Sequence, residues 1–286
     1  MHKEQMKFII VFDARSGSTK LSKILTENYN TAILPETNFI FQLLSNKKFS
    51  KEETLKKIYS EKKFKDLRIK KFELKKIIYD NYQNYEKIIN EIVCLSNIRI
   101  YGCKSKIGLK KNQIDFTNNL INIFKKKLRV IFLIRDPRNV LVSKLNANKI
   151  RPRYKKSTII NIYQWIKIHE YLKVHKIRFL YVKYEDLDQN GLMKIQKYLN
   201  LKKMKKKKFF LPEDQKKIHP NLDRLFIKNI SNYNHKIKIF DKIIINLMCY
   251  NYLKKFNYIN NNSIFYYISS QVTSFLIRCY VKLKPY

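Results

Sequence analysis

Short apolar runs that end in turn residues alternate with amphipathic segments along most of this chain. Residues 7–13 form the first such run and predict a buried strand. Residues 18–28 follow as a predicted helix with Leu21, Ile24 and Leu25 on one face. Further strands are predicted near residues 31–34, 99–103, 129–134 and 178–183. Helical patterns are found near residues 112–126, 136–146, 158–175 and 186–199.

Alternating strands and helices favour an α/β fold in three layers, with a central parallel sheet and helices on both faces. We treat residues 1–286 as a single domain. Residues 38–97 look largely helical and rich in lysine, which suggests a helical insertion. Residues 262–286 are predicted to form a C-terminal helix packed on the domain, with an interfacial or partner-binding helix as the alternative.

The residues that follow the predicted strand ends form a chemically coherent set. In open parallel sheets, ligands bind beyond the carboxyl ends of the strands. The residues in those positions are charged or aromatic: Arg15, Glu36, Lys104, Arg135 and Tyr184. We therefore predict a functional site at this edge of the sheet.

The first strand-to-helix turn has the composition of an anion-binding loop. It reads Arg15-Ser16-Gly17-Ser18-Thr19-Lys20. The chain contains only 4 glycines, so Gly17 indicates a backbone conformation that few other residues can adopt. Backbone N–H groups and the helix dipole favour a phosphate at such a helix N-terminus. Arg15 adds a charge with bidentate reach.

A second candidate anion site follows another strand end. Asp136 can cap the next helix, and Pro137 suits its first turn. Ser143 lies about two helical turns beyond Arg135, so an arginine and a hydroxyl could converge on a second phosphate. The alternative is that Arg135 and Arg138 form surface ion pairs while Ser143 only packs.

The charge balance is extreme, with 61 Lys and Arg against 22 Asp and Glu and a formal net charge of +39. Such a charge suits nucleic acid or an anionic surface. However, the basic residues are spread along a chain that is also rich in Ile, Asn and Tyr, as an AT-rich genome would produce. We therefore attribute most of the excess to composition and disfavour a nucleic-acid-binding protein, which stays as an alternative.

Cysteine and histidine spacing predicts neither a disulfide framework nor a metal site. Cys94, Cys103, Cys249 and Cys279 are far apart, as expected of thiols in a reducing compartment. The 5 histidines show no metal spacing, and His169 is expected at the surface. With no leader or membrane span evident, we expect a cytoplasmic protein.

Together, the two anion motifs resemble the sulfotransferase family. Residues 15–19 match its 5′-phosphosulfate loop, and residues 135–138 with Ser143 match its 3′-phosphate motif. Residues 182–187, which read Val-Lys-Tyr-Glu-Asp-Leu, are similar to a strand-end signature of many members. The resemblance covers roughly residues 7–200.

The resemblance implies a P-loop-like α/β fold and 3′-phosphoadenosine 5′-phosphosulfate as the sulfuryl donor, with no metal. It assigns the 5′-phosphosulfate to residues 15–20, the 3′-phosphate to Arg135 and Ser143, and a position near the nucleotide to Tyr184. Trp165 also falls where many members carry a tryptophan.

The resemblance also suggests catalytic residues. Glu36 resembles the catalytic glutamate of tyrosylprotein and many carbohydrate sulfotransferases, and a carboxylate there can accept the proton of an attacking hydroxyl. The alternative is that Glu36 only caps a helix. Arg15 and Lys104 would neutralise the charge on the leaving nucleotide, with Lys106 as the alternative to Lys104.

The chain departs from the family pattern at Ala14 and Lys106, where proline is common. The expected acceptor is a hydroxyl of a glycan, a lipid-linked glycan or a small molecule, with peripheral contact at the inner membrane face. One alternative is a P-loop kinase or NTPase, although its GxxxxGK[ST] motif is missing. Another is a donor-binding protein without turnover.

Overall fold

The structure is a computed structural model that describes most of the chain. The described residues are 6–29, 31–34, 49–60, 64, 69–95, 101–106, 129–150, 158–174, 179–202 and 237–259, with isolated helical positions at 119, 122, 269, 271–273 and 275. The chain divides into two compact units. The sheet unit comprises residues 1–12, 17–133 and 177–211, and the helical unit comprises residues 13–16, 134–176 and 212–286.

A five-stranded sheet forms the centre of the sheet unit. Its strands are β1 (Met6–Phe12), β2 (Ala32–Leu34), β3 (Tyr101–Lys106), β4 (Arg129–Ile134) and β5 (Phe179–Lys183). They are ordered β2-β3-β1-β4-β5 across the sheet. β1 pairs in parallel with β3 and β4, and β2 pairs in parallel with β3, which confirms the predicted α/β class.

β1 lies in the middle of the sheet because it is apolar on both faces. Residues 8–12 are at most 2% exposed, and β4 is equally buried from Val130 to Ile134. Parallel strands covered on both faces read as continuous apolar runs. For this reason the sequence located β1 within one residue at each end and β4 at the same bounds.

Eight helices lie within the described residues. They are α1 (Ser18–Asn28), α2 (Lys51–Tyr59), α3 (Lys71–Asp80), α4 (Tyr85–Leu95), α5 (Pro137–Ile150), α6 (Thr158–Val174), α7 (Gln189–Leu199) and α8 (Ile239–Lys255). A short 3₁₀ turn, Tyr184–Asp186, follows β5. Among the described residues, no helix is long and apolar enough to cross a membrane.

Three of these helices fall within the predicted insertion of residues 38–97. α2 packs on α3, α3 packs on α4, and α4 contacts β1. A reciprocal cap starts α2, since Ser50 Oγ accepts from the Glu53 N–H at 3.2 Å and Glu53 Oε2 accepts from the Ser50 N–H at 2.9 Å. These three helices lie in the range predicted to be helical, and the insertion itself stays a prediction. The helix predicted near 112–126 and the C-terminal helix lie mostly outside the described residues.

The helical unit has its own core, where α5, α6 and α8 pack on one another. Its buried members are apolar side chains from all three helices and from one residue two positions before α8: Val140, Leu141, Ile162, Trp165, Ile237, Ile245, Met248, Cys249 and Leu253. Burial, followed by the nearby Asp136 carboxylate, raises the pKa of the Cys249 thiol well above its usual value. This thiol is therefore a packed core group.

The expectation that His169 is a surface residue is wrong. His169 is 1% exposed and stacks on Trp165, with ring centroids 4.1 Å apart, and on Tyr252, with centroids 4.8 Å apart. α8 covers this part of α6. The local sequence around His169 does not reveal a partner helix that comes so much later in the chain.

Candidate functional site

The two predicted anion-binding motifs begin at neighbouring strand ends. Phe12 of β1 pairs with Leu133 of β4, so Asp13 and Arg135 follow strands that end side by side. The two arginines of the motifs also come together, because Arg135 Nη1 donates to the Arg15 carbonyl oxygen at 3.1 Å. The topology therefore brings together residues that are 120 positions apart in the chain.

Gly17 is required at its position for two independent reasons. It is the N-cap of α1 and has the left-handed conformation, with φ of 93°. A Cβ placed on Gly17 would also overlap the Tyr184 ring at Cδ2 and Cε2 and would lie 3.3 Å from Cγ. The need for glycine inferred from the sequence thus has both a conformational cause and a packing cause.

The first turn of α1 presents backbone donors without a side-chain cap. The Leu21 N–H donates to the Gly17 carbonyl at 3.1 Å and closes the first turn. The N–H groups of Ser18 and Thr19 lie in that turn, where a helix offers them no acceptor of its own. Glycine cannot cap them, and no acidic residue lies in this turn to offset the helix dipole. An anion bound at this helix N-terminus would satisfy these N–H groups.

Lys20 and Tyr184 complete the arrangement around Gly17. Lys20 Nζ lies 5.1 Å from the centroid of the Tyr184 ring, and both residues are buried. The sulfotransferase-like assignment of Tyr184 depended on its place after a strand. The structure adds that its ring packs against the glycine of the loop.

Within the helical unit, Arg15 and Ser143 are direct neighbours. Arg15 Nε donates to Ser143 Oγ at 3.1 Å, and Trp165 Nε1 donates to the Arg135 carbonyl at 3.2 Å. Arg15 itself has a φ of 72°, a left-handed conformation that is uncommon outside glycine. The structure therefore brings Arg15, Arg135 and Ser143 together, with Ser143 bonded to the arginine of the first motif.

Ser16 contributes a polar atom that points to a ligand. Ser16 is 1% exposed, and its Oγ has no hydrogen-bond partner among the described residues. Buried hydroxyls in proteins are nearly always hydrogen-bonded. An orphan hydroxyl in an anion-binding loop fits the donor set expected for a phosphosulfate group.

Asp136 and Arg138 have a structural role. Asp136 Oδ1 accepts from the Arg138 N–H at 2.9 Å, which confirms Asp136 as the N-cap, and α5 begins at Pro137 as predicted. The Arg138 guanidinium also pairs with the Asp136 carboxylate, with Nη2 2.6 Å from Oδ2, and Nη2 donates to the Tyr258 carbonyl at 3.0 Å. Both side chains of the pair are buried, so the alternative of a surface ion pair is wrong for Arg138.

Sequence reasoning missed the pair formed by Asp13 and Lys144. Lys144 Nζ lies 2.8 Å from Asp13 Oδ2, and both side chains are buried. An aspartate at the end of an apolar strand was the only available signal. Lys144 has none, because lysine is abundant throughout the chain.

The structure describes one of two predicted catalytic residues, Lys104, and not the other, Glu36. Glu36 lies outside the described residues. Lys104 was expected just after the end of its strand, and this placement is wrong because β3 continues to Lys106. Lys104 pairs with Ile10, whereas Lys106 pairs with Phe12 at the end of β1. The second half of β3 is polar, so the apolar run by which the strand was predicted ends before the strand does.

A model of the sulfotransferase family matches residues 8–201, well over half of the chain. The chain belongs to the sulfotransferase family. It is thus a sulfotransferase enzyme, and the resemblance read from the two anion motifs is confirmed. The matched region runs from β1 through α7.

Two solved sulfotransferase structures are similar to this sulfotransferase. The sulfotransferase domain of the Synechococcus PCC 7002 olefin synthase is 16% identical with a TM-score of 0.47, and the match covers 97% of this chain and 96% of that one. Sulfotransferase STF9 from Mycobacterium avium is 12% identical with a TM-score of 0.44, covering 89% and 77% respectively. No curated protein sequence matches the chain significantly.

Proposed function

We propose that this sulfotransferase moves a sulfuryl group from 3′-phosphoadenosine 5′-phosphosulfate to an acceptor hydroxyl. The observation that carries the proposal is the meeting of Arg15, Arg135 and Ser143 beyond two neighbouring strand ends. A donor with anionic groups at both ends of an adenosine needs two sets of cationic and N–H donors. The two motifs supply one set each.

The 5′-phosphosulfate is assigned to the loop of residues 15–20. Arg15 supplies charge, Ser16 Oγ supplies a hydroxyl that lacks a partner among the described residues, and the first turn of α1 supplies N–H donors. Gly17 allows the chain to enter α1 without a side chain over these donors. When bound, the donor supplies the sulfuryl group that is transferred.

The 3′-phosphate is assigned to Arg135 and Ser143. Ser143 Oγ accepts a hydrogen bond from Arg15 and keeps its own O–H to donate to a phosphate oxygen. The Arg135 backbone is held by Trp165, whose indole donates to the Arg135 carbonyl. Tyr184, whose ring lies against Gly17, is assigned a place beside the nucleotide.

Proton transfer from the acceptor and neutralisation of the leaving group are assigned to three residues. Glu36 would accept the proton of the acceptor hydroxyl as its oxygen bonds to sulfur. Arg15 would neutralise charge on the departing phosphate, assisted by a lysine of β3. Register favours Lys106 for this role over the predicted Lys104, because Lys106 is level with the end of β1.

The acceptor is proposed to be a glycan, a lipid-linked glycan or another alcohol at the inner face of the membrane, in the cytoplasm. The support is the strongly basic chain, whose formal charge of +39 attracts anionic substrates and surfaces.

Calorimetric titration tests the donor assignment before any acceptor is known. The wild-type protein is titrated with 3′-phosphoadenosine 5′-phosphate and, separately, with ATP in the presence and absence of Mg²⁺. We expect the 3′-phosphorylated nucleotide to bind more tightly than ATP by about a hundredfold or more, with no need for Mg²⁺. Tighter binding of Mg²⁺–ATP would replace this proposal with the kinase or NTPase alternative.

A further inference from the structure

A buried ion pair, Asp13–Lys144, lies at the start of the anion-binding loop. The Lys144 Nζ and Asp13 Oδ2 atoms are 2.8 Å apart, and the side chains are 3% and 7% exposed. Burying two charges costs free energy that their attraction repays only with good geometry and further hydrogen bonds. A buried pair is therefore weak evidence for stability, and its position suggests another role.

Asp13 controls the backbone of the loop. Its Oδ1 accepts from the Ala14 N–H at 2.7 Å, and its carbonyl accepts from the Ser16 N–H at 3.2 Å. These two bonds shape the turn that carries Arg15. Ala14 is a position where a proline, common in the family pattern, would have no N–H to offer. In this chain Ala14 has an N–H, and it donates to the Asp13 carboxylate.

Two adjacent residues of α5 bond to the segment that carries the loop. Ser143 accepts from the Arg15 side chain, and Lys144 binds the Asp13 carboxylate. α5 is thus bonded to Arg15 of the loop and to Asp13, two residues before it. Lys144 also cancels a negative charge two residues from Arg15, where a bare carboxylate would oppose an anionic ligand.

We propose that Asp13–Lys144 is a positioning pair for the donor loop, a role that rests on the proposed function. The ion pair with Lys144 fixes the Asp13 side chain, and the hydrogen bonds of Asp13 fix the backbone of residues 14–16. Because Lys144 neutralises Asp13, no unpaired negative charge repels the phosphosulfate. Neither residue touches the donor.

The first test is Lys144→Met, with affinity for 3′-phosphoadenosine 5′-phosphate measured by calorimetry. The unpaired Asp13 carboxylate should weaken binding about tenfold or more. Removing that carboxylate as well should restore part of the affinity, whereas a purely structural role of Lys144 predicts no such rescue.

Three further variants make the test robust. Lys144→Arg keeps the charge and should bind the nucleotide like wild type. Asp13→Asn with Lys144→Met removes both charges and keeps an acceptor for the Ala14 N–H, so it should bind more tightly than Lys144→Met but about fivefold more weakly than Lys144→Arg. Lys167→Met is the control, because it breaks a 2.6 Å ion pair with Glu170 within α6 and should leave nucleotide affinity unchanged.

The outcomes separate the two proposals. If the wild type does not bind 3′-phosphoadenosine 5′-phosphate, the proposed function fails. If the wild type binds and Lys144→Met binds equally well, or if the double variant binds no more tightly than Lys144→Met, the positioning role is overturned. If Lys144→Met does not fold, the double variant Asp13→Asn with Lys144→Met is compared with Lys144→Arg. Equal nucleotide affinities of these two variants would overturn the positioning role.

Discussion

Replacing Gly17 with alanine tests the construction of the anion-binding loop with one methyl group. The new Cβ would be placed on a residue with φ of 93°, the conformation that side chains resist. It would also enter the space of the Tyr184 ring, which is itself buried. The methyl therefore meets a conformational cost and a packing cost that can be measured separately.

The magnitudes follow from those two costs. A left-handed backbone costs a residue with a Cβ about 1–2 kcal/mol relative to glycine. Overpacking a buried site costs about 1–3 kcal/mol more, because a ring shifts less easily than the end of a flexible chain. We expect Gly17→Ala to lower the free energy of unfolding by about 2–5 kcal/mol, a large part of the stability of an ordinary domain.

A double-mutant cycle with Tyr184→Ala isolates the packing cost. The free energy of unfolding is measured in urea for the wild type, both single variants and the double variant. Without the ring, Gly17→Ala should cost only the conformational part, about 1–2 kcal/mol, so the two sites should be coupled by about 1–3 kcal/mol. Ser18→Ala, at the next position, adds no atoms and serves as the control.

Two results would refute this reasoning. If Gly17→Ala costs the same with and without the Tyr184 ring, the ring does not occupy the space beside the glycine. If Gly17→Ala costs less than about 0.5 kcal/mol in the wild-type background, the left-handed N-cap is also wrong. Nucleotide affinity of the folded variant provides a second readout, since a displaced N-cap should weaken binding.

Three further predictions concern donor binding and turnover. Arg135→Ala should weaken 3′-phosphoadenosine 5′-phosphate by about 10- to 150-fold in calorimetry and adenosine 5′-phosphosulfate much less; equal losses would mean that Arg135 only supports the Arg15 carbonyl. Glu36→Gln should lower kcat by about a hundredfold or more and leave donor affinity unchanged, and near-normal turnover would exclude Glu36 as the base. Trp165 is the only tryptophan and its indole donates to the Arg135 carbonyl, so its fluorescence should change saturably with the 3′-phosphorylated nucleotide; calorimetric binding with unchanged fluorescence would argue against this link.

The fold was largely predictable because its central strands carry their own signal. Residues 8–12 of β1 and 130–134 of β4 are buried, so both stretches of sequence are apolar without interruption. α1 was located at the observed bounds, since a glycine precedes it and Leu21, Ile24 and Leu25 are buried as predicted. β3 was misjudged at its carboxyl end because lysines occupy positions 104 and 106.

Most of the candidate site was predictable because its residues follow strand ends. Arg15, Gly17 and Arg135 stand at such positions, and parallel strands bring their carboxyl ends to one edge. Lys144, by contrast, is buried by a contact with Asp13, 131 positions earlier in the chain. Nothing in its local sequence distinguishes it from the exposed lysines of other helices.

The amino-acid sequence alone determined the class of the fold, the loop with its obligatory glycine, and the family. These depend on local properties: runs of apolar residues, a backbone conformation at one residue, and short motifs in order. Only the tertiary structure decided that Ser143 bonds to Arg15, that Arg138 pairs with Asp136 in the interior, and that Asp13 is paired with Lys144. The physical reason is that pairing and burial of charged side chains depend on which distant segments meet, and many arrangements are compatible with a chain this rich in lysine.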